Sequence, residues 1–248
     1  MEQSISIMVN RIADILKENN LSAFLFGSVV LDDFKLGWSD IDIICLTDNV
    51  IQEEQAGKLV NLRQSLMSEH QDNPYFKLFE GGILTLDSFL HNTVDTVVYW
   101  GTSGQRITNR YELCPFGKIE LIENGRHVYG SDFRHFISYP TRSEIIEAIK
   151  SHYHTIRQYG KSGGGWLLDI ARCLYTLRTS KVIAKTKAGE WAIEENICPD
   201  LSIMKKVIEI RKNPLEFENN EEIKQWQNML EEPIQKFADI LEAELRIV

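Results

Sequence analysis

The sequence has no surplus of basic residues. Its 27 Lys and Arg are outnumbered by 36 Asp and Glu, which leaves a formal net charge of −9. Nucleic-acid binders usually display a basic stripe, so this balance argues against a DNA or RNA partner. Cysteine is scarce and scattered: Cys45, Cys114, Cys173 and Cys198 contain no C-x-x-C pair. That spacing offers neither a structural zinc site nor a disulfide framework, and it suits a reducing compartment. No apolar run reaches transmembrane length, and the first residues lack a basic stretch followed by an apolar one. No internal repeat or low-complexity tract is visible. These absences lead to the expectation of a cytoplasmic protein with no membrane and no nucleic-acid partner. The acidic balance would attract a cationic small molecule at long range, and it serves solubility equally well.

Hydrophobic residues make up 43% and charged residues 25% of 248 positions, enough for one large domain or two small ones with real cores. The informative stretch is Leu25-Phe26-Gly27-Ser28, followed after a short polar excursion by Trp38-Ser39-Asp40-Ile41-Asp42-Ile43-Ile44-Cys45-Leu46. The apolar run from Ala23 to Phe26 breaks at Gly27-Ser28, which predicts a buried strand ending in a tight turn. The second piece alternates and then runs apolar, which predicts the neighbouring strand. Side chains two apart on a strand leave the same face, so Asp40 and Asp42 point the same way. Two like charges side by side repel and add nothing to a core. They make sense around a divalent cation, because Mg²⁺ prefers carboxylates completed by water and phosphate oxygens. Gly27 would let the backbone approach a triphosphate, and Ser28 offers it a hydroxyl and an N–H. The parts describe a corner for nucleotidyl transfer; the plainer alternative is a turn followed by a surface D-x-D.

Further along, Ile5, Met8, Ile12, Ile15 and Leu16 are spaced as one face of a helix, and a second helix is predicted from Gln52 to about His70. Asp32, Asp33 and Lys35, between the two strands, are expected in a mobile loop or short helix over the nucleotide. Tyr75 to Leu86 reads as a third strand with Glu80 embedded in it. A carboxylate in such a run is costly unless it meets a partner. The partner expected is the Asp40–Asp42 site, with Glu80 as metal ligand or general base; the alternative is an edge-strand glutamate facing solvent. Thr93 to Trp100 predicts a strand opening into a hydrogen-bonding loop from Gly101 to Arg106. Lys118 to Ile122 predicts a further strand or extended segment. After Pro140 the texture becomes helical: 143–159, 166–178, 189–195, 202–211 and 221–245. His152 and His154 diverge by about 200° on a helix, so they are read as surface residues rather than as metal ligands.

The Gly-Ser…Ser-Asp-Ile-Asp pattern resembles the nucleotidyltransferase superfamily of DNA polymerase beta, and within it the aminoglycoside nucleotidyltransferases of the streptomycin/spectinomycin adenylyltransferase type. In that family a glutamate opening the third strand looks like the catalytic base. Phe79-Glu80-Gly81-Gly82 occupies the matching place. The resemblance returns at Leu168-Asp169-Ile170-Ala171-Arg172, then through Thr179-Ser180-Lys181 and Lys185 to Ala188-Gly189-Glu190-Trp191-Ala192. It implies that Arg172 and Lys185 meet the triphosphate, with Lys181 or Lys187 able to share the task; the alternative is that these cations only solvate helix ends. The family's drug-holding acidic and histidine residues are replaced here by Gly160-Lys161-Ser162-Gly163-Gly164-Gly165, and its Trp-x-Tyr-Pro stretch is missing.

The expectation is therefore an α+β protein: an N-terminal nucleotidyltransferase domain (1–138) with a mixed sheet and flanking helices, an all-helical bundle (139–248), and an active cleft between them. Asp40, Asp42 and Glu80 would be catalytic and would bind Mg²⁺; Gly27, Ser28, Arg172 and Lys185 would bind ATP. The expected reaction moves AMP to a hydroxyl of a small cationic antibiotic of the aminoglycoside or aminocyclitol type. Another acceptor (a lincosamide, metabolite or protein) and a non-catalytic antitoxin-like binding module are the alternatives. A monomer or homodimer is expected.

Overall fold

The two apolar runs on either side of the Gly27-Ser28 turn pair as neighbouring strands, and a mixed sheet grows around them. A computed structural model describes residues 1–101 and 104–248. It divides into two units, Met1–Val30 with Asp40–Tyr139, and Leu31–Ser39 with Pro140–Val248.

In the first unit, β1 (Ser22–Phe26), β2 (Ile41–Thr47), β3 (Phe79–Thr85), β4 (Val97–Gly101), β5 (Gly104–Thr108) and β6 (Arg126–Tyr129) form one sheet in the order β5-β4-β3-β2-β1-β6. Only β2 and β3 run parallel; the other neighbours are antiparallel. A parallel pair needs a crossover, and α2 (Glu53–Glu69) supplies it. Its buried stripe is Ala56, Leu59, Leu62 and Leu66, and the indole N–H of Trp100 donates to Leu59 O at 3.1 Å. On α1 (Glu2–Leu16) the residues Ile5, Met8, Ile12 and Leu16 are buried at the expected helical spacing. A cluster of Phe24, Phe26, Ile44, Leu46, Leu84, Phe89, Val97, Leu113, Leu121 and Phe133 fills one face of the sheet, with α3 (Leu86–His91) and α4 (Pro115–Asn124) contributing to it.

Several boundaries differ from the sequence reading. Lys118 to Ile122 is helical within α4, not extended, because Pro115 sits in the first turn, where its missing N–H costs nothing. The third strand begins at Phe79, after a single 3-10 turn over Phe76–Leu78. The fourth begins at Val97. Of the loop expected from Gly101, Thr102 and Ser103 lie outside the described residues, whereas Gln105 and Arg106 are in β5.

The second unit consists, among the described residues, of α5 (Arg142–Tyr159), α6 (Gly165–Thr179), α7 (Lys185–Glu194), α8 (Leu201–Lys212), α9 (Pro214–Phe217), α10 (Glu221–Gln227) and α11 (Glu231–Leu245). The start of α5 is locked by a capping box: Thr141 Oγ1 accepts from Glu144 N at 3.3 Å, and Glu144 accepts from Thr141 N at 2.7 Å. The single helix expected over 221–245 is two. Pro233 would clash with a carbonyl in a helix interior, so the chain restarts at Glu231 and places Pro233 in the first turn. Among the described residues no helix is long and apolar enough to cross a membrane.

The excursion from Leu31 to Ser39 groups with these helices, and Asp33 is the reason. Far from lying in a mobile loop, Asp33 is buried. It accepts from Thr186 N at 3.2 Å, from Thr186 Oγ1 at 2.5 Å and from Arg211 Nη2 at 2.7 Å. Arg211 also donates from Nε to Thr186 Oγ1 at 3.0 Å, and its guanidinium lies over the Trp38 ring, 5.5 Å from the centroid. A helix start leaves N–H groups open, and here a distant segment supplies the acceptor for one of them in α7.

Burial pushes the Asp33 carboxyl up, but the bonds from Thr186 and the charge of Arg211 more than offset it and hold it below the usual range. A carboxyl depressed in the folded state adds stability above its unfolded value of about 3.9 and loses it as pH falls through the folded value. Asp33→Asn should therefore lower unfolding free energy by about 3 kcal/mol at pH 7, since it leaves Arg211 buried without its counter-charge. The deficit should shrink as the pH is lowered below about 4. Urea unfolding at pH 7 and pH 3.5 checks both statements.

Candidate active site

Every residue of β2 and β3 is buried except one in each strand. The exceptions are Asp42 and Glu80, both half-buried, and they are direct register partners across the parallel pair. By alternation they share the face that carries Phe24, Ile44, Leu46 and Leu84, at the strand starts where the apolar cluster gives out. β3 is interior, between β2 and β4, so Glu80 is not an edge-strand residue.

The turn after β1 completes this corner. Gly27 has φ 68°, and a Cβ placed there would lie 2.0 Å from Asp42 Oδ2. The Asp42 carboxylate thus rests on the bare Cα of Gly27, a position that admits no side chain. Ser28 Oγ donates to Asp40 O at 3.3 Å, which ties the turn to the residue that leads into β2. Gly27, Ser28, Asp40, Asp42 and Glu80 therefore gather at one end of the sheet.

Tyr99 of β4 donates its hydroxyl to Glu80 Oε1 at 3.3 Å. Burial, then the charge of Glu80, raises the Tyr99 phenol above its ordinary value, so it remains a proton donor. The Arg106 guanidinium stacks 4.4 Å from the centre of that ring. Tyr111 packs on Gly82, where a Cβ would come within 2.8 Å of its ring. Burial, and secondarily the charge of Asp42, pushes the Tyr111 phenol far up. Arg63 of α2 donates from Nη1 to Phe79 O at 2.6 Å and from Nε to Gln105 Oε1 at 3.2 Å. Burial lowers its pKa, while the charges of Glu80 and Asp40 act in the opposite sense. The sequence reading missed Arg63 and Tyr111. For Arg63 a signal existed: a long cation four residues after Leu59 and three before Leu66, beside the buried stripe of its helix.

In the helical unit, Arg172 of α6 and Lys185 of α7 meet at one carboxylate. Lys185 Nζ lies 2.9 Å from Asp169 Oδ1 and 3.1 Å from Oδ2, and Arg172 Nη2 lies 3.4 Å from Oδ1. Both cations are half-buried, whereas Lys181 and Lys187 are exposed. His152 is a correction: only His154 is exposed, while His152 is half-buried on α5. Burial lowers the His152 pKa; Asp169 raises it, and Arg172 and Lys185 lower it further. The turn of α5 that hides His152 brings it close to all three charges.

Residues 9–81 match the nucleotidyltransferase domain family, and residues 140–243 match the aminoglycoside adenylyltransferase C-terminal domain. No curated protein sequence matches the chain. Among solved structures, spectinomycin adenyltransferase AAD(9) from Enterococcus faecialis, crystallised with ATP and spectinomycin, is similar with a TM-score of 0.65. That similarity covers 99% of each chain at 15% sequence identity, so it speaks for the fold. The α+β architecture, the acidic corner and the first domain match define an enzyme of the nucleotidyltransferase class. Within that class, residues 140–243 carry the C-terminal domain of aminoglycoside adenylyltransferases.

Gly27→Ala tests the corner directly. A left-handed backbone costs an L-residue about 1–2 kcal/mol. The added methyl would also displace the Asp42 carboxylate, and a misplacement of that size costs about 100-fold in turnover. Thermal unfolding should show the modest loss and a nucleotidyl-transfer assay the large one.

Proposed function

We propose that the protein transfers AMP from ATP to a hydroxyl group of a small cationic antibiotic of the aminoglycoside or aminocyclitol type. The observation that carries this reading is the Asp42–Glu80 register pair, with Asp42 seated on Gly27, in a chain whose residues 140–243 match the aminoglycoside adenylyltransferase C-terminal domain. In this reading the acceptor oxygen attacks the α-phosphorus, pyrophosphate leaves, and Glu80 takes the hydroxyl proton. The Tyr99 hydroxyl, bonded to Glu80 at 3.3 Å, holds that carboxylate in place. Gly27 and Ser28 receive the triphosphate, and Arg172 and Lys185 supply positive charge for its phosphates.

The donors at the corner suit Mg²⁺: they are hard carboxylate oxygens, and the Gly27 cradle leaves Asp42 room beside the backbone. Among the described residues no three Asp, Glu, His or Cys side chains form a ready-made cage. Asp40 and Asp42, with Glu80 beside them, would hold the ion together with phosphate and water. When bound, Mg²⁺ would polarise the α-phosphate and steady the leaving group. ATP and Mg²⁺ are abundant in the cytoplasm, where the protein is proposed to act as a monomer or homodimer, on small molecules alone.

A second reading keeps the chemistry and changes the acceptor to a lincosamide, metabolite or protein. It is favoured by the segment Gly160 to Gly165, whose only charged side chain is the cation Lys161. Incubation with ATP, Mg²⁺ and a mixed panel of aminoglycosides, aminocyclitols and lincosamides, followed by mass spectrometry, separates the two. The expected product is an aminoglycoside or aminocyclitol heavier by one adenylyl group; a product from another class, or none, overturns the first reading. Glu80→Gln should lower turnover by about 100-fold or more with the fold intact. Asp42→Asn should abolish metal-dependent AMP transfer, as pyrophosphate release would show.

A further inference from the structure

The Arg172–Asp169–Lys185 cluster contains a carboxylate to which neither the family match nor the proposed chemistry gives a role. Two cations on successive helices repel one another and, if left alone, would splay toward solvent. Asp169 prevents this. It lies three residues before Arg172 on α6, so both side chains leave the same helix face. It also offers both oxygens to Lys185 across the turn between α6 and α7, at 2.9 and 3.1 Å. The three side chains are 16%, 16% and 31% exposed for Asp169, Arg172 and Lys185, so water screens the cluster poorly while its outer edge stays open. Burial pushes the Asp169 carboxyl up, but the charges of Lys185 and Arg172 outweigh it and keep the group ionised.

We propose that Asp169 is the positioning residue of the nucleotide-phosphate site: it holds the Arg172 guanidinium and the Lys185 ammonium side by side as a preformed fork for the β- and γ-phosphates. The inference rests on the reading of Arg172 and Lys185 as phosphate ligands. Pre-organisation removes the cost of ordering two long side chains when the anion arrives. It also answers why a nucleotide site should contain a carboxylate, which taken alone repels phosphate. If Asp169 were merely a competing anion, its removal would tighten binding.

Isothermal titration of the full-length protein with ATP and with AMP gives the test, since AMP lacks the two phosphates assigned to the fork. Asp169→Asn should weaken ATP binding about 10-fold, the worth of one charged hydrogen bond, and leave AMP binding within about twofold. The preference for ATP over AMP should therefore narrow. A general structural defect would weaken both ligands alike. Asp169→Glu keeps the charge, and with it the fold should Asn fail to support it; it displaces both cations by a methylene and should narrow the preference by a smaller factor. An ATP preference unchanged or enlarged in the folded variants overturns the proposal. Arg172→Met and Lys185→Met distinguish the deeper failure: if neither weakens ATP binding, the phosphate reading itself falls and this inference with it.

Discussion

The candidate site depends on one close approach, the Asp42 carboxylate lying against the Cα of Gly27. It requires β1 to be followed by a left-handed residue that has no side chain, and β2 to begin in the register that sets Phe26 opposite Asp42. The parallel register with β3 then sets Glu80 beside Asp42. A slip of one residue in either pairing would send these carboxylates to the other face. The apolar residues that follow on the same face, Ile44 and Leu46 on β2 and Leu84 on β3, resist that slip, because it would take them out of the cluster they fill. Catalytic placement and core packing are thus specified by the same alternation.

The corner gathers three carboxylates, and two neighbouring side chains, Arg63 and Tyr99, approach them. Arg63 approaches from α2, anchored to the carbonyl beside Glu80, and Tyr99 donates directly to Glu80. The helical unit shows the opposite balance, two cations around Asp169.

What could be read in the sequence was what repeats or breaks locally. Gly27-Ser28, the alternation Asp40-Ile41-Asp42 and the helical spacing of Ile145, Ile149 and Ile156 state their structures within a few residues. Glu80 was legible because a carboxylate inside an apolar run needs an explanation. Asp33 was not legible, because the partners that bury it, Thr186 and Arg211, are remote in sequence. His152 was misjudged because helix geometry correctly separates it from His154, yet says nothing of which face meets α6. The 118–122 segment looked extended because Lys118-Ile119-Glu120-Leu121 alternates polar and apolar residues, and Pro115 at the helix start marks it otherwise.

The partners of Asp33 stand 153 and 178 residues further along the chain. During synthesis the Leu31–Ser39 strap therefore emerges from the ribosome long before anything exists for it to bind. β2 and β3 can pair meanwhile, since the residues they need are already made. The strap closes only when α7 and α8 have appeared, which makes it a late, high-contact-order event and leaves a buried carboxylate waiting in water until then. Neither unit can be excised as one uninterrupted piece of chain without either leaving that carboxylate unmatched or taking the N–H acceptor away from the start of α7.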